Sequence, residues 1–496
     1  MVPSSGQSSS PSSAGLEESN QPLLSQSESR GWWTRSPTIS VLGGLAVMAL
    51  AAVLLDKVHW TDAAESKSDS DHNKPAVPKG SMELRMMPDK GLNSLGAVCL
   101  DGSDAGFYFS KASAPEHAND WQIYFGGGGW CYDEADCLGR SSGFLGSSDS
   151  WAESIGPQEG IMSGDCKVNP TFCNFNRVWL AYCDGNSFTG NRDQPVMVSA
   201  NDGKPPKALY FRGRRILDAV LDTVFDEMGL GKAENVILTG CSAGGLAALL
   251  HADYVHSRLQ ARAPSLQKFR AVPISGFFLL HSNVLGEEVF AAQMQTIFEL
   301  SNSSGGVNSK CVAANLGKDA WKCNFASTAY AFTLSTPVFL LNSALDNWQV
   351  PCIYTAQLPV GFPNQIPDIN GNCSAVPGWE NCSRDVEACS EAQVPTLNAY
   401  IQDFNSTLQS TATYHKTGNG AFIHSCETHC EAQSRSWNTF AIHGVTLQQA
   451  VSTWWNSDDE PASAHCYTPC LYHLNSPRAC NPTCMESLRP ESAIVV

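Results

Sequence analysis

The chain has 496 residues, 43% hydrophobic and 16% charged, with 27 Pro and 40 Gly, a composition that supports a sizeable core with many loops and excludes a disordered chain. A formal net charge of -17 excludes nucleic acids and anionic membrane surfaces as natural partners, because both repel an acidic protein, and leaves neutral substrates open. One large catalytic domain behind an N-terminal tail is the organisation that this length suggests.

Residues 1–36 are rich in Ser, Gln and Pro with few large apolar groups, and read as a disordered cytoplasmic tail. Ile39 to Leu55 is an apolar run interrupted only by Ser40, near the lower length limit for crossing a bilayer. No convincing small-x-small cleavage site follows it, so residues 37–57 are read as an uncleaved transmembrane signal anchor rather than a signal peptide. Residues 58–81 are polar and form a stalk, and the folded domain is expected over 82–496. Lys57, Lys67 and Lys74 balance Arg30 and Arg35, so charge does not decide orientation. All 19 cysteines do, since they lie at or after Cys99. They imply an oxidising compartment, as do glycosylation sequons at Asn302, Asn372, Asn381 and Asn405. The expectation is a single-pass type II membrane protein of the secretory pathway or cell surface, its catalytic domain lumenal or extracellular.

Within that domain, Trp121–Phe125, Arg177–Tyr182, Asn235–Thr239 and Pro337–Leu341 read as buried strands, each followed by a turn. Helix-like stretches at Arg214–Met228 and Gly245–Leu259 lie between them. Alternation of this kind predicts an α/β fold of the hydrolase type, with a mostly parallel central sheet, helices on both faces and disulfide-rich loops. Its site belongs at the carboxyl ends of the strands.

The segment Gly240-Cys241-Ser242-Ala243-Gly244 follows one of these strands and opens a helix. A strand-to-helix turn so tight strains the backbone at the serine and tolerates only small neighbours, which projects the Ser242 hydroxyl above the sheet as a nucleophile. A serine hydroxyl needs a histidine base, and the base needs a carboxylate to fix its tautomer; in such hydrolases the chain order is Ser, acid, His. Asp346 follows the Pro337–Leu341 strand closely and is the candidate acid. His415, His424, His429 and His443 come next, and His429 is favoured because disulfides at Cys426 and Cys430 would pin its backbone. A Cys/His zinc cluster is the rival reading of that segment, against which stand the oxidising compartment and the lack of a repeating metal-ligand spacing. The run Gly126-Gly127-Gly128-Gly129-Trp130 offers an oxyanion loop, with the N–H groups of Gly129, Trp130 and Ala243 as donors. It could instead cradle a phosphate, but no Gly-Lys-Ser/Thr follows. No cofactor or metal is expected.

With these pieces in place the chain resembles the plant pectin acetylesterases, a family shared with Notum-type carboxylesterases. The matching segments include Gly128-Gly129-Trp130-Cys131, Cys137-Leu138-Gly139-Arg140, Tyr182-Cys183-Asp184-Gly185, Ser187-Phe188-Thr189-Gly190, Phe211-Arg212-Gly213, Gly240 to Gly245, Asp346-Asn347-Trp348-Gln349, Ser425-Cys426 and His429-Cys430, between about Val98 and Cys484. The resemblance implies a metal-independent serine esterase whose triad falls on Ser242, Asp346 and His429 and whose oxyanion loop falls on Gly129-Trp130. At Ser275 the family often carries Asp, which suggests an altered wall of the acyl pocket. His465-Cys466 and Cys480–Cys484 look more like the pectin acetylesterases than like Notum.

The sequence therefore predicts removal of O-acetyl groups from a polysaccharide such as pectin through an acyl-enzyme. Two other readings stand beside it: deacylation of a lipidated protein, and glycan binding on an inactive esterase scaffold. Cys241 is expected to stay a free buried thiol, leaving 18 cysteines for nine disulfides.

Overall fold

The computed structural model of the chain describes residues 78, 80–87, 96–199, 205–357, 373–457, 466–467 and 483–484. The tail, the Ile39–Leu55 run, most of the stalk and the sequon at Asn372 lie outside the described residues. No helix among the described residues is long and apolar enough to cross a membrane.

The framework is a ten-stranded sheet. In chain order its strands are β1 (Met82–Met86), β2 (Gly106–Ser110), β3 (Asp120–Phe125), β4 (Ser154–Ile155), β5 (Asn176–Leu180), β6 (Asn235–Cys241), β7 (Lys268–Ile274), β8 (Phe339–Ser343), β9 (Gly420–His424) and β10 (Cys466–Tyr467). Across the sheet they run β10-β9-β8-β7-β6-β3-β5-β2-β1-β4. From β10 to β5 every neighbouring pair is parallel, while β2, β1 and β4 add an antiparallel edge. The chain moves from β3 to β5 on one side and then returns to place β6 on the other side of β3. The carboxyl ends of β3 and β6 thus flank a topological switch point, where sheets of this kind open a crevice for ligands.

Both faces of the sheet are covered, because successive side chains of each strand enter different cores. Trp121, Ile123 and Phe125 of β3 join Val236 and Leu238 of β6 under helices Gly213–Thr223 and Ala243–Arg262. Tyr124 and Ile237 enter the opposite core, with Trp437, Trp454 and Trp455 from the C-terminal helices. Strands buried on both sides carry apolar residues almost continuously, which made them readable as strands.

Several boundaries differ from expectation: the strand expected over Arg177–Tyr182 ends at Leu180, that over Asn235–Thr239 extends to Cys241, and the helix over Gly245–Leu259 spans Ala243–Arg262. The strand expected at Pro337–Leu341 begins at Phe339 instead, since Pro337 has no N–H to donate and contributes only its carbonyl, to the N–H of Ala271. The helix expected over Arg214–Met228 is α-helical only to Thr223; its last turn widens into a π-turn over Val224–Met228 before Gly229 at φ 93°.

Close approach at the switch point is set by glycine. A Cβ on Gly244 would lie 2.2 Å from the Phe125 carbonyl oxygen and 2.7 Å from that of Gly126, so helix and strand could not meet there with any larger residue. Gly244→Ala is expected to destabilise the fold by about 1–3 kcal/mol through backbone displacement, read as a lower Tm. An unchanged Tm would mean that the helix start has slack it does not display.

Candidate active site

Ser242 alone makes the turn between β6, which ends at Cys241, and the helix that begins at Ala243. Its backbone sits at φ 62° and ψ -128°, a conformation that a non-glycine residue adopts only under constraint. The constraint is visible: the Ser242 N–H donates to the Ile274 carbonyl at 3.1 Å, and its carbonyl accepts the Leu246 N–H at 2.9 Å. A Cβ on Gly240 would lie 2.4 Å from the Gly244 carbonyl oxygen, which explains the small residues around the turn.

Asp346 lies just past the end of β8 and is 1% exposed. One carboxylate oxygen accepts the N–H groups of Trp348 (2.8 Å) and Gln349 (3.0 Å), and the other faces His429 Nδ1 at 2.8 Å. That pairing leaves the proton on Nδ1 and frees Nε2, which is buried and has no hydrogen-bond partner among the described residues. Burial of the ring pushes the His429 pKa down, but the charge and hydrogen bond of Asp346, with Glu431 behind, raise it above its ordinary value. The other histidines are occupied elsewhere: His415 meets the Gln409 carbonyl, His424 is fully buried against Glu431, and His443 is exposed.

The glycine loop after β3 is held by its carbonyls. Arg140 Nη2 donates to Gly128 O at 2.9 Å and the Tyr182 hydroxyl to Gly129 O at 2.8 Å. Gly128 and Gly129 both have positive φ, 134° and 64°, which glycine alone adopts freely. A Cβ on the preceding Gly127 would stand 3.3 Å from the Ser242 Cβ, so this loop runs directly beside the nucleophile candidate. The N–H groups of Gly129, Trp130 and Ala243 have no partner among the described residues, whereas those of Gly126 and Cys131 are bonded within the protein.

Sequence reasoning gave Ser187 no role, although its segment was recognised. In the structure Ser187 is fully buried at φ 51°, receives the Trp130 indole N–H at 2.8 Å and donates to the Ala243 carbonyl at 2.8 Å. Its own N–H donates to the Tyr182 hydroxyl, and its carbonyl faces His251 Nε2 at 3.1 Å. Burial, reinforced by Arg214, takes the His251 pKa down to about 3, so that ring is neutral and donates from Nε2. Ser187 therefore ties both halves of the oxyanion candidate together. Only its place in a fingerprint segment hinted at this.

One expectation is corrected. Cys241 is not a free thiol; it is bridged to Cys430, 189 residues later, with the two Cα atoms 5.6 Å apart. It was misjudged because only the folded chain brings the His429 loop over the end of β6. Eight disulfides are present among the described residues. Cys241, His429 and Cys430 lie close enough to resemble a metal site, but two sulfurs bonded to each other are not thiolate ligands. Ser275, where the family often carries Asp, supports the His429 loop. It is fully buried at φ 45°, where its hydroxyl accepts the Cys430 N–H at 3.0 Å and donates to Glu431 at 3.1 Å.

Aromatic rings crowd the site. Trp130 packs on Phe278 (4.9 Å between centroids), Trp348 (5.4 Å) and Phe290 (5.7 Å), and Phe278 and Trp348 in turn flank the His429 ring.

The profile of the family described as pectinacetylesterase matches residues 79–485. Pectin acetylesterase 11 of Arabidopsis thaliana is 32% identical over 393 residues, 78% of this chain and 89% of the relative. The palmitoleoyl-protein carboxylesterase NOTUM of Mus musculus is 26% identical over 400 residues, 78% of this chain and 70% of the relative. Among solved structures, the Wnt deacylase Notum from Drosophila superposes with a TM-score of 0.61 at 23% identity, covering 82% of this chain and 99% of that one, which speaks for the α/β fold.

Three outcomes test the geometry. The rate of ester hydrolysis at low substrate should fall as pH drops through the His429 pKa, which lies above about 6.5, because the base must be neutral. Asp346→Asn should lower kcat by about 10⁴-fold and move that acid limb to lower pH; an unmoved limb would detach Asp346 from His429. Ser187→Ala should lower kcat by roughly tenfold with little change in KM, and an unchanged kcat would remove Ser187 from the site.

Proposed function

The chain belongs to the pectinacetylesterase family, and on that premise we propose that this carboxylic-ester hydrolase removes O-acetyl groups from a polysaccharide such as pectin. Ser242 Oγ attacks the acetyl carbonyl as His429 Nε2 takes its proton, and Asp346 holds Nδ1–H and stabilises the imidazolium. The negative oxygen of the tetrahedral intermediate is received by the N–H groups of Gly129, Trp130 and Ala243. His429 then returns the proton to the departing sugar hydroxyl, and water attacks the acetyl-enzyme along the same path to release acetate.

The observation that carries acetyl over a fatty acyl group is the ring cluster. Trp130, Phe278 and Phe290 are 5%, 1% and 1% exposed, and with Trp348 they pack edge to face around the oxyanion loop and His429. Close-packed rings favour a small acyl group such as acetyl, which needs little apolar volume. The intact set of candidate groups also speaks against a purely glycan-binding role.

The eight disulfides belong to a protein of the secretory pathway. We read Ile39–Leu55 as a type II anchor that confines the esterase to a lumenal or outer membrane face. Asn302 and Asn381 are exposed and Asn405 is half-buried, in keeping with glycan attachment on that side.

Nitrophenyl acetate and octanoate compared on the full chain test the acyl group. The acetate is expected to have the higher kcat/KM by at least about tenfold, and preference for octanoate would replace the polysaccharide reading with lipid deacylation. Ser242→Ala should abolish hydrolysis and labelling by a fluorophosphonate; wild-type protein that folds but never labels would favour glycan binding alone. Phe290→Ala should raise the octanoate-to-acetate ratio by roughly tenfold, and an unchanged ratio would take Phe290 out of acyl selection.

A further inference from the structure

The loop that carries His429 starts at the end of β9, yet Ser242 stands at the end of β6, with β8 and β7 between them. The loop must therefore cross three strand spacings, about 14 Å at roughly 4.8 Å each. The six residue steps from His424 to Cys430 can span at most about 20 Å fully extended. A loop stretched this far has no regular structure of its own to fix its tip.

It is tied down at every strand that it crosses. Over β8, the Ser343 hydroxyl donates to the Cys426 carbonyl at 2.6 Å, and Asp346 holds the His429 ring. Over β7, Ser275 accepts the Cys430 N–H and donates to Glu431. Glu431 is itself fully buried and stands 3.1 Å from His424 Nε2; burial pushes its carboxyl up, but His424 and the Ser275 hydroxyl bring it below its ordinary value, so it is a carboxylate. Over β6 the tie is covalent, Cys241 to Cys430. Cys241 precedes the candidate nucleophile and Cys430 follows the candidate base, so one bond joins the two backbones at their reacting ends. Ser242, Ser275 and Cys430 all hold positive φ (62°, 45° and 63°), a strain that persists only where the surroundings enforce it.

We propose that the Cys241–Cys430 bridge, with Ser275 and Glu431 beneath it, positions His429 against Ser242 and sets the rate of proton transfer between them. The inference rests on the esterase reading above. Its action falls on the chemical step rather than on substrate binding. A displacement of about 1 Å at a catalytic group is enough to cost on the order of 10²-fold in rate.

The test is the full chain with Cys241→Ala and Cys430→Ala together, which removes both sulfurs and leaves no thiol to mispair. With nitrophenyl acetate, kcat is expected to fall by about ten- to a hundredfold with KM within about twofold of wild type, and fluorophosphonate labelling should slow in proportion. The matching control is Cys166→Ala with Cys173→Ala, a bridge that precedes β5 at the amino end of the sheet, where stability falls and kcat does not. Ser275→Ala keeps every disulfide and tests the same idea if the double variant does not fold; it is expected to lower kcat by about tenfold at constant KM. Wild-type kcat in either folded site variant would overturn the proposal. A wild-type protein that neither hydrolyses the ester nor labels would instead overturn the esterase reading, so the two failures are distinct.

Discussion

A candidate base that follows one strand and a candidate nucleophile that follows another, three positions away, impose a single constraint: the loop that carries the base has to be held out over the end of the sheet. Hydrogen bonds alone hold a loop loosely, because water competes for each of them at the surface. The structure answers by burying the ties. Ser343, Asp346, Ser275, Glu431 and Cys241 are all at most 2% exposed; Ser343 and Asp346 meet the loop from the end of β8, Ser275 from β7 and Cys241 from β6, while Glu431 follows Cys430 in the chain. The loop is thus part of the sheet's own packing, and the ring of His429 inherits the rigidity of the core.

The opposite side of the site obeys the same logic with different means. There the groups that matter are backbone N–H donors, which cannot be aimed by side-chain rotamers. Two are aimed by capturing the carbonyls on the other side of their peptides, Gly128 by Arg140 and Gly129 by Tyr182, and the Ala243 N–H is fixed through the Ser242 carbonyl, which accepts the Leu246 N–H. Glycine at 128 and 129 supplies the positive φ that lets successive peptides turn. Donors fixed before substrate arrives need no reorganisation when charge develops, which is the main electrostatic contribution available to such a site.

This division explains what could be read from the sequence. Ser242, the glycine loop and the strands before them are local patterns, in which spacing and residue size alone state the geometry, and the alternation of strand and helix gave the α/β architecture directly. Asp346 and His429 followed from chain order and from the pattern of neighbouring residues. The partners of these groups were not legible in the same way. Cys241 and Cys430 are 189 residues apart, Ser275 and Glu431 are 156 apart, and nothing in either segment announces the other. Ser187 and Ser275 were visible only as members of a recognised fingerprint, because a small hydroxyl residue states its role through its neighbours in space. Two of the boundary differences had local causes that composition does not display, a proline before β8 with no N–H to give a neighbouring strand and a helix that widens before Gly229.

Trp130 links the two halves of this design to the choice of acyl group. Its main-chain N–H belongs to the oxyanion candidate, its indole N–H is bound to Ser187, and its ring packs on Phe278, Phe290 and Trp348. On the proposed reading, a change at Trp130 would alter the candidate acyl wall and the candidate oxyanion loop at once, so acyl size could not be retuned there without loss of rate. Phe290 carries no such double duty: it lies on the helix Val289–Leu300 and meets the site through its ring alone. Divergence in chain length within this fold is therefore least costly from the helix side of the cluster, while the residue next to the oxyanion loop stays constrained by the chemistry common to every ester.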